Sequence, residues 1–316
     1  MCTAITYHAA DHYFGRNLDL EHSYGESVAI MPRSYPLALR CGEILSRHHA
    51  MIGMAQMADG YPLYYEATNE HGLSAAGLNF PESAVYHAHC PNCRNIAPFE
   101  LIAWLLGSCA TLAQARHALE RTNLWQQDFS SRLPATPLHW LVADSTGAIV
   151  VESTFDGLHL HENDVGVLTN EPPFPFHRAN LALYHALTPD EPAEPAFSRG
   201  MGTYGLPGGL DSVSRFVRAA FIRANSLSGE DESSAVSQFF HLLSAVEQQR
   251  GCVHLPQGQY ELTRYSSCCN TTRGIYYYTT YDNRAITAVS LHREELDGDT
   301  VAAYPLLTEQ RVEWQN

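Results

Sequence analysis

Apolar and polar positions alternate along the N-terminal part of the chain. Cys2–His8 and Tyr13–Leu18 are short strand-like runs, and Ala9-Ala10-Asp11 between them suits a tight connection, so the pair reads as a hairpin. Ser27–Met31 is a third run, closed by Pro32, and residues 33–50 are polar and irregular. Ile52–Met57 and Leu63–Thr68 flank Asp59-Gly60-Tyr61-Pro62, a second hairpin with a strong turn signal. Leu73–Leu78 follows Glu70-His71-Gly72.

After a loop over residues 81–96 that bears Pro, His and Cys, the period changes. Phe99, Ile102, Ala103, Leu105 and Leu106 form a helical stripe starting at Pro98, and Thr111 is placed to cap a helix carrying Leu112, Ala115, Ala118 and Leu119. Leu138–Ala143, Ile149–Ser153, Leu158–Leu160 and Val165–Thr169 read as strands; Asp156-Gly157 has the composition of a type I′ turn, and Pro172-Pro173 stops the last strand. A helix near 176–187, an irregular stretch over 188–212, and helices over Ser214–Asn225 and Ser234–Gln249 follow. Tyr260–Ser266, Ile275–Tyr281 and Ile286–Leu291 close the chain as strands, the last two paired through Asp282-Asn283. Short connections cannot make parallel crossovers, so most strands are expected to be antiparallel. Two helix groups separated by meandering strands suit an α+β fold, two sheets sandwiched between helix layers. No linker divides the chain, so 1–316 reads as one domain.

Composition narrows the function. With 45% hydrophobic residues the chain can bury a large core. A net charge of −15, with no basic run, excludes a nucleic-acid or headgroup-binding surface. The longest fully apolar run, Leu101–Leu106, is too short to enter a bilayer as a span, and residues 1–15 lack the pattern of a targeting segment, so a cytoplasmic location is expected. The cysteines are Cys2, Cys41, Cys90, Cys93, Cys109, Cys252, Cys268 and Cys269, and mostly free thiols are expected in that compartment.

The chemistry centres on Met1-Cys2-Thr3. A small residue at position 2 permits removal of Met1, which leaves a cysteine carrying a free α-amine. That amine has a pKa of ~7.7–8.0 and the thiol ~8.5, so one residue holds both a nucleophile and a base. The hairpin returns Arg16 and Asp19 close to Cys2; Arg16 favours a thiolate, and Asp19 accepts from the terminal ammonium. Residues three apart lie on opposite faces of a regular strand, so the strand must bend or end near Asn17 for both to serve one site. An Arg–Asp pair at a strand end is also an ordinary structural feature. Asn79 and Asn170 each end a strand-like run, suited either to an oxyanion donor or to a turn. Arg215 stands near a helix start, where the dipole gives a cation no benefit, and a specific partner explains it better.

Met1-Cys2-Thr3, Tyr13-Phe14-Gly15-Arg16-Asn17-Leu18-Asp19, Asn69-Glu70-His71-Gly72-Leu73, Ala76-Gly77-Leu78-Asn79-Phe80, Leu138-His139-Trp140, Leu168-Thr169-Asn170 and Ser214-Arg215-Phe216-Val217-Arg218 occur in this order, with Tyr276-Tyr277-Tyr278 and Thr280-Tyr281-Asp282 beyond. Together they resemble the choloylglycine hydrolase family of N-terminal nucleophile hydrolases, which contains bile salt hydrolases and penicillin V acylases. The resemblance implies a four-layer αββα sandwich, an amidase reaction without a cofactor, and a homotetramer. It implies Cys2 as nucleophile with its own amine as base, Arg16 and Asp19 flanking it, Asn79 and Asn170 at the oxyanion site, and Arg215 nearby. Asn79, in place of the tyrosine typical of penicillin acylases, favours glycine- or taurine-conjugated bile acids. Penicillin V or an acyl-homoserine lactone are the alternative substrates. Family loop positions put Leu18, Leu20, Met57, Tyr65, Phe129, Leu133 and Leu138 at an apolar substrate pocket, and core packing is their other reading.

Tyr86-His87-Ala88-His89-Cys90-Pro91-Asn92-Cys93 departs from this pattern. His87, His89, Cys90 and Cys93 have the ligand types for zinc, but structural sites draw ligands from two separated segments and no second pair lies nearby. No metal is therefore expected; a reversible disulfide or a plain loop are the other readings. On this loop rests a different class of function, an inactive binding protein regulated by metal or redox state. Cys268-Cys269, at the end of a strand, are expected to be buried.

Overall fold

The computed structural model describes residues 1–192 and 198–316. The strands form in chain order as β1 (Cys2–His8), β2 (His12–Leu20), β3 (Glu26–Met31), β4 (Met51–Ala58), β5 (Tyr61–Asn69), β6 (Ser74–Asn79), β7 (Leu138–Asp144), β8 (Gly147–Thr154), β9 (Gly157–Glu162), β10 (Val167–Leu168), β11 (Tyr260–Asn270), β12 (Ile275–Thr280), β13 (Thr287–Ser290) and β14 (Ala302–Pro305). One sheet has the order β10-β1-β2-β11-β12-β13, with Val253–His254 pairing β11; the other runs β9-β8-β7-β6-β5-β4-β3-β14. Both are antiparallel throughout, as short turns dictate. The parallel pair Arg94–Ile96 and Thr122–Leu124 lies outside them.

Alternation sorts the side chains. On β3, Val28 and Ile30 join the core between the sheets, while Ala29 and Met31 face the opposite way, toward α1 (Leu101–Ser108) and α2 (Leu112–Leu119). On β7, Leu141 and Ala143 take the first side and Trp140 and Val142 the second. These strands are buried on both faces and read as nearly continuous apolar runs. Helices α4 (Ser212–Asn225) and α5 (Glu232–Ser244) cover the other sheet through Phe216, Phe239, Leu242 and Leu243, with α3 (Phe174–Leu181) against α4. The result is the αββα sandwich.

Thr111 caps α2 as expected, accepting from the Gln114 backbone N–H; α4 and α5 start two residues before the expected Ser214 and Ser234, because Asp211 and Asp231 cap them by accepting from the Ser214 and Ser234 N–H groups. The stripe expected on α1 widens to burial of Leu101–Gly107 entire, because the helix is roofed by loop residues such as His48 as well as by the sheet. The hairpin turn Asp59-Gly60 has two positive φ angles, 50° and 79°. At Asp156-Gly157, where type I′ was expected, only Gly157 is positive, so that turn is of another type. The helix expected near 176–187 begins at Phe174 and ends as a 3-10 turn over Ala182–Tyr184. Of the irregular stretch expected over 188–212, residues 193–197 lie outside the described residues, and Met201–Thr203 forms a 3-10 turn.

Candidate active site

Cys2 opens β1 and pairs with Leu18 on β2, so the hairpin delivers Arg16 and Asp19 to its side. Cys2 is 3% exposed; Arg16, Asp19 and Arg215 are fully buried. Strand β2 does not end at Asn17 but continues to Leu20, and the irregularity lies in its partner instead. Opposite Leu18 and Asp19, strand β11 inserts one extra residue, Arg264, between Thr263 and Tyr265. Such a bulge re-aims side chains locally. Gly15, one residue before Arg16, is needed for close approach of the same strands: a Cβ there would stand 1.9 Å from the Ser267 carbonyl oxygen.

Arg16 extends toward the second sheet. Its Nη1 donates to the carbonyls of Gly77 at 2.5 Å and Tyr65 at 3.1 Å, and it lies 3.8 Å from the Glu66 carboxylate. Asp19 accepts from Thr263 Oγ1 at 2.6 Å and stands 4.0 Å from Arg215. Two buried atoms beside Cys2, Arg16 Nη2 and Asp19 Oδ2, have no hydrogen-bond partner among the described residues. Burial raises the Asp19 and Glu66 carboxyls, against the pull of Arg215 and Arg16 respectively. Burial lowers Arg215, against the pull of Asp19. Arg16 is raised: burial acts against its charge, but Cys2, Tyr265, Glu66 and Asp19 outweigh it.

Arg215 finds its specific partners. Nη1 donates to the Cys2 carbonyl and to Thr3 Oγ1, both at 2.6 Å, and Nη2 to Asn170 Oδ1 at 2.9 Å. The same Asn170 oxygen accepts from the Cys2 backbone nitrogen at 2.7 Å. Two donors on that oxygen fix the amide orientation, and Asn170 Nδ2 donates to the Asn79 carbonyl at 2.8 Å. The amide of Asn170 has two N–H groups, and the contact to Asn79 uses one of them. Its oxygen holds the Cys2 nitrogen, and its second N–H makes no hydrogen bond to the described residues. Asn79, half-buried at the end of β6, presents a side-chain amide that makes no hydrogen bond to the described residues. The Met1 ammonium donates to the Asp19 carbonyl at 2.8 Å and lies against Glu261; burial lowers its pKa, with Cys2 and Asp19 acting the other way.

Two supporting groups carried no local motif. Glu66 accepts from Tyr265, Ser267 and Tyr276 behind Arg16. Glu152 accepts from the Phe174 backbone N–H and faces His139 and His161; burial opposes its charge, yet these contacts hold its carboxyl at about 2. Each is a carboxylate within a strand that otherwise reads as buried, and that was the available signal.

The seven pocket candidates separate. Leu18, Leu20 and Tyr65 belong with the core between the sheets, and Leu18, at 3% exposure, is sealed within it rather than lining a pocket. Met57 and Leu138 pack against the other core. Phe129 meets Tyr61 and Phe99 ring to ring, and Leu133 is bridged to Ser130 in the same loop.

The zinc candidates are not assembled into a site. Cys90 and Cys93 form a disulfide, which removes both thiolates. His87 Nε2 contacts the Thr154 carbonyl, and His89 meets Trp125 edge-on. Cys268 and Cys269 are free and buried, as expected. His49, Glu70 and His71 do bring ligand atoms within 4.8 Å of one another, but both Glu70 oxygens are taken by Arg33 and one also by the Ala50 N–H.

Comparison with known proteins agrees with this architecture. The family model for linear amide C–N hydrolases of the choloylglycine hydrolase family matches residues 2–304. A bile salt hydrolase/transferase of Lactiplantibacillus plantarum is 50% identical over 317 residues, covering 98% of each chain. The crystal structure of the mutant C2A conjugated bile acid hydrolase from Clostridium perfringens superposes with a TM-score of 0.94 over all of both chains, at 34% identity. A penicillin V acylase from Agrobacterium tumefaciens, at 20% identity and a TM-score of 0.78 over 96% of this chain and 90% of its own, shares the fold. The chain belongs to the choloylglycine hydrolase family of linear amide C–N hydrolases.

Proposed function

We propose that this chain hydrolyses the amide bond joining a bile acid to glycine or taurine, with Cys2 as nucleophile once Met1 is removed. The observation that carries the reading is the shell around Cys2: two arginines, Asp19 and Asn170, all buried, with one Arg16 nitrogen and one Asp19 oxygen uncommitted. When Met1 leaves, the Cys2 nitrogen becomes an amine within reach of Asn170 Oδ1, which orients it toward its own thiol. The Cys2 thiolate attacks the carbonyl carbon, and the Asn79 amide donates to the developing oxyanion. The α-ammonium gives its proton to the departing glycine or taurine nitrogen, leaving a thioester on Cys2. The amine then takes a proton from water as it attacks the thioester, and the bile acid departs as the thiolate reforms. The relatives' names support the substrate class: curated sequences from several bacteria are bile salt hydrolases/transferases or conjugated bile acid hydrolases.

The reading extends to one domain over 1–316 in a cytoplasmic homotetramer, the assembly the family resemblance implies. Six free cysteines support the reducing compartment. Light scattering after size exclusion tests the assembly. The function is tested by assaying glycocholate, taurocholate and penicillin V side by side. The bile salts are expected to be cleaved fastest and Cys2→Ala to be inactive. Preference for penicillin V, or full activity in Cys2→Ala, contradicts the proposal.

A further inference from the structure

The segment that carries Asn170 is held from behind by two histidines. His139 Nε2 lies 2.9 Å from the Thr169 carbonyl, and His177 Nε2 lies 2.9 Å from the Asn170 carbonyl. A carbonyl oxygen only accepts, so both Nε2 atoms carry hydrogen. The other His139 nitrogen, Nδ1, lies 3.1 Å from Glu152 Oε1. An ionised carboxylate also only accepts. Both nitrogens of His139 therefore face acceptors, and a neutral imidazole, which has one N–H, satisfies only one of them.

His139 is completely buried and Glu152 is 1% exposed. A lone cation there is costly, but the carboxylate in contact compensates it, and the Phe174 N–H and His161 satisfy the rest of that carboxylate. Phe80, which follows Asn79, stacks on the His139 ring with centroids 4.2 Å apart and planes within 7°. The ring thus touches the neighbours of both asparagines.

We infer that His139 is a buried imidazolium paired with Glu152, and that the pair is a positioning device which fixes Thr169-Asn170 by donating to the Thr169 carbonyl. His177 completes the clamp from α3 and in turn stacks on Phe216, the residue after Arg215, at 4.8 Å. Asn170 and Arg215, the two groups that hold Cys2, thereby share one backing. The kinetic consequence rests on the function proposed above, whereas the protonation state stands apart from it.

Nitrogen-15 NMR of the histidine-labelled enzyme at neutral pH tests the protonation state directly. The expected result is a His139 ring with two protonated nitrogens, assigned by its disappearance in His139→Gln. In Glu152→Gln the same ring is expected to become neutral, with kcat falling about ten- to a hundredfold while KM stays within about twofold, because the loss is one of positioning. His161→Gln, which touches the same carboxylate from the exposed side, is expected to keep the signature and the rate. A neutral His139 in the native enzyme overturns the inference whatever the activity. A native imidazolium with unchanged kcat in folded Glu152→Gln overturns the positioning role.

Discussion

Cys2 gains its chemistry from partners that already have most of their bonds. Arg215 is tied to the Cys2 carbonyl, Thr3 and Asn170; Arg16 is tied to Gly77 and Tyr65. Each retains its charge, and neither must reorganise as negative charge develops nearby, which is the condition for strong electrostatic stabilisation. The asparagines divide their labour in a way residue type alone does not disclose. Asn170 spends one N–H on Asn79 and its oxygen on Cys2 and Arg215, whereas the whole Asn79 amide is uncommitted. Asn79→Ala is therefore expected to lower kcat about a hundred- to a thousandfold, with little change in melting temperature since its side chain makes no internal bond. Steady-state kinetics with glycocholate beside a thermal melt decides this; wild-type kcat in the variant would show that the oxyanion donor lies elsewhere.

Elements were legible where they obey their own period. Strand β1 runs over the residues its pattern marks, and α2 starts after the expected cap Thr111, whereas the aspartates that start α4 and α5 two residues early were not read as caps. The bulge at Arg264 was not legible, because an extra residue in one strand acquires meaning only against its partner. The short pair Arg94–Ile96 and Thr122–Leu124 and the edge strand β14 were missed for the same reason: contact, not alternation, makes them strands. Gly15 is where two elements constrain each other most tightly. Gly15→Ala forces a methyl group onto the Ser267 carbonyl, and the expected loss is about 1–3 kcal/mol of stability by urea unfolding, with activity reduced because Arg16 adjoins the disturbed ladder. Undiminished stability would mean that β2 and β11 separate at little expense. Glu152 makes a pH-dependent contribution to the same scaffold. Its folded pKa, about 2, lies below the ordinary 4.5, so its stabilisation is fully present above 4.5 and is lost as pH falls toward 2. The stability gap between wild type and Glu152→Gln is expected to be about 3 kcal/mol at neutral pH and to close across that window. A gap that does not change with pH contradicts the assignment.

The whole molecule sets the field in which the site works. Alternation, turns and the helix groups together suggested two antiparallel sheets between helices, and the fold is that sandwich. The hairpin that brings Arg16 and Asp19 beside Cys2 was legible in the chain, whereas the contacts of Asn170 and Arg215 with Cys2 were not, since these arise only through tertiary packing. Net charge acts at longer range. Glycine- and taurine-conjugated bile acids are anions, the chain carries −15, and both site arginines are buried beside carboxylates. Approach is therefore opposed at low salt, and kcat/KM is expected to rise as ionic strength increases from about 0.01 to about 0.15 M. A fall over that range would reveal a cationic entrance that outweighs the net charge.

The central claim is that catalysis begins from a cysteine bearing a free amine. Intact-mass spectrometry of the active enzyme, acid-quenched during turnover of glycocholate, tests it most directly. The account predicts a chain shorter by Met1, with any bound cholyl group on the peptide that starts at Cys2. An enzyme that turns over glycocholate with Met1 still attached would contradict it.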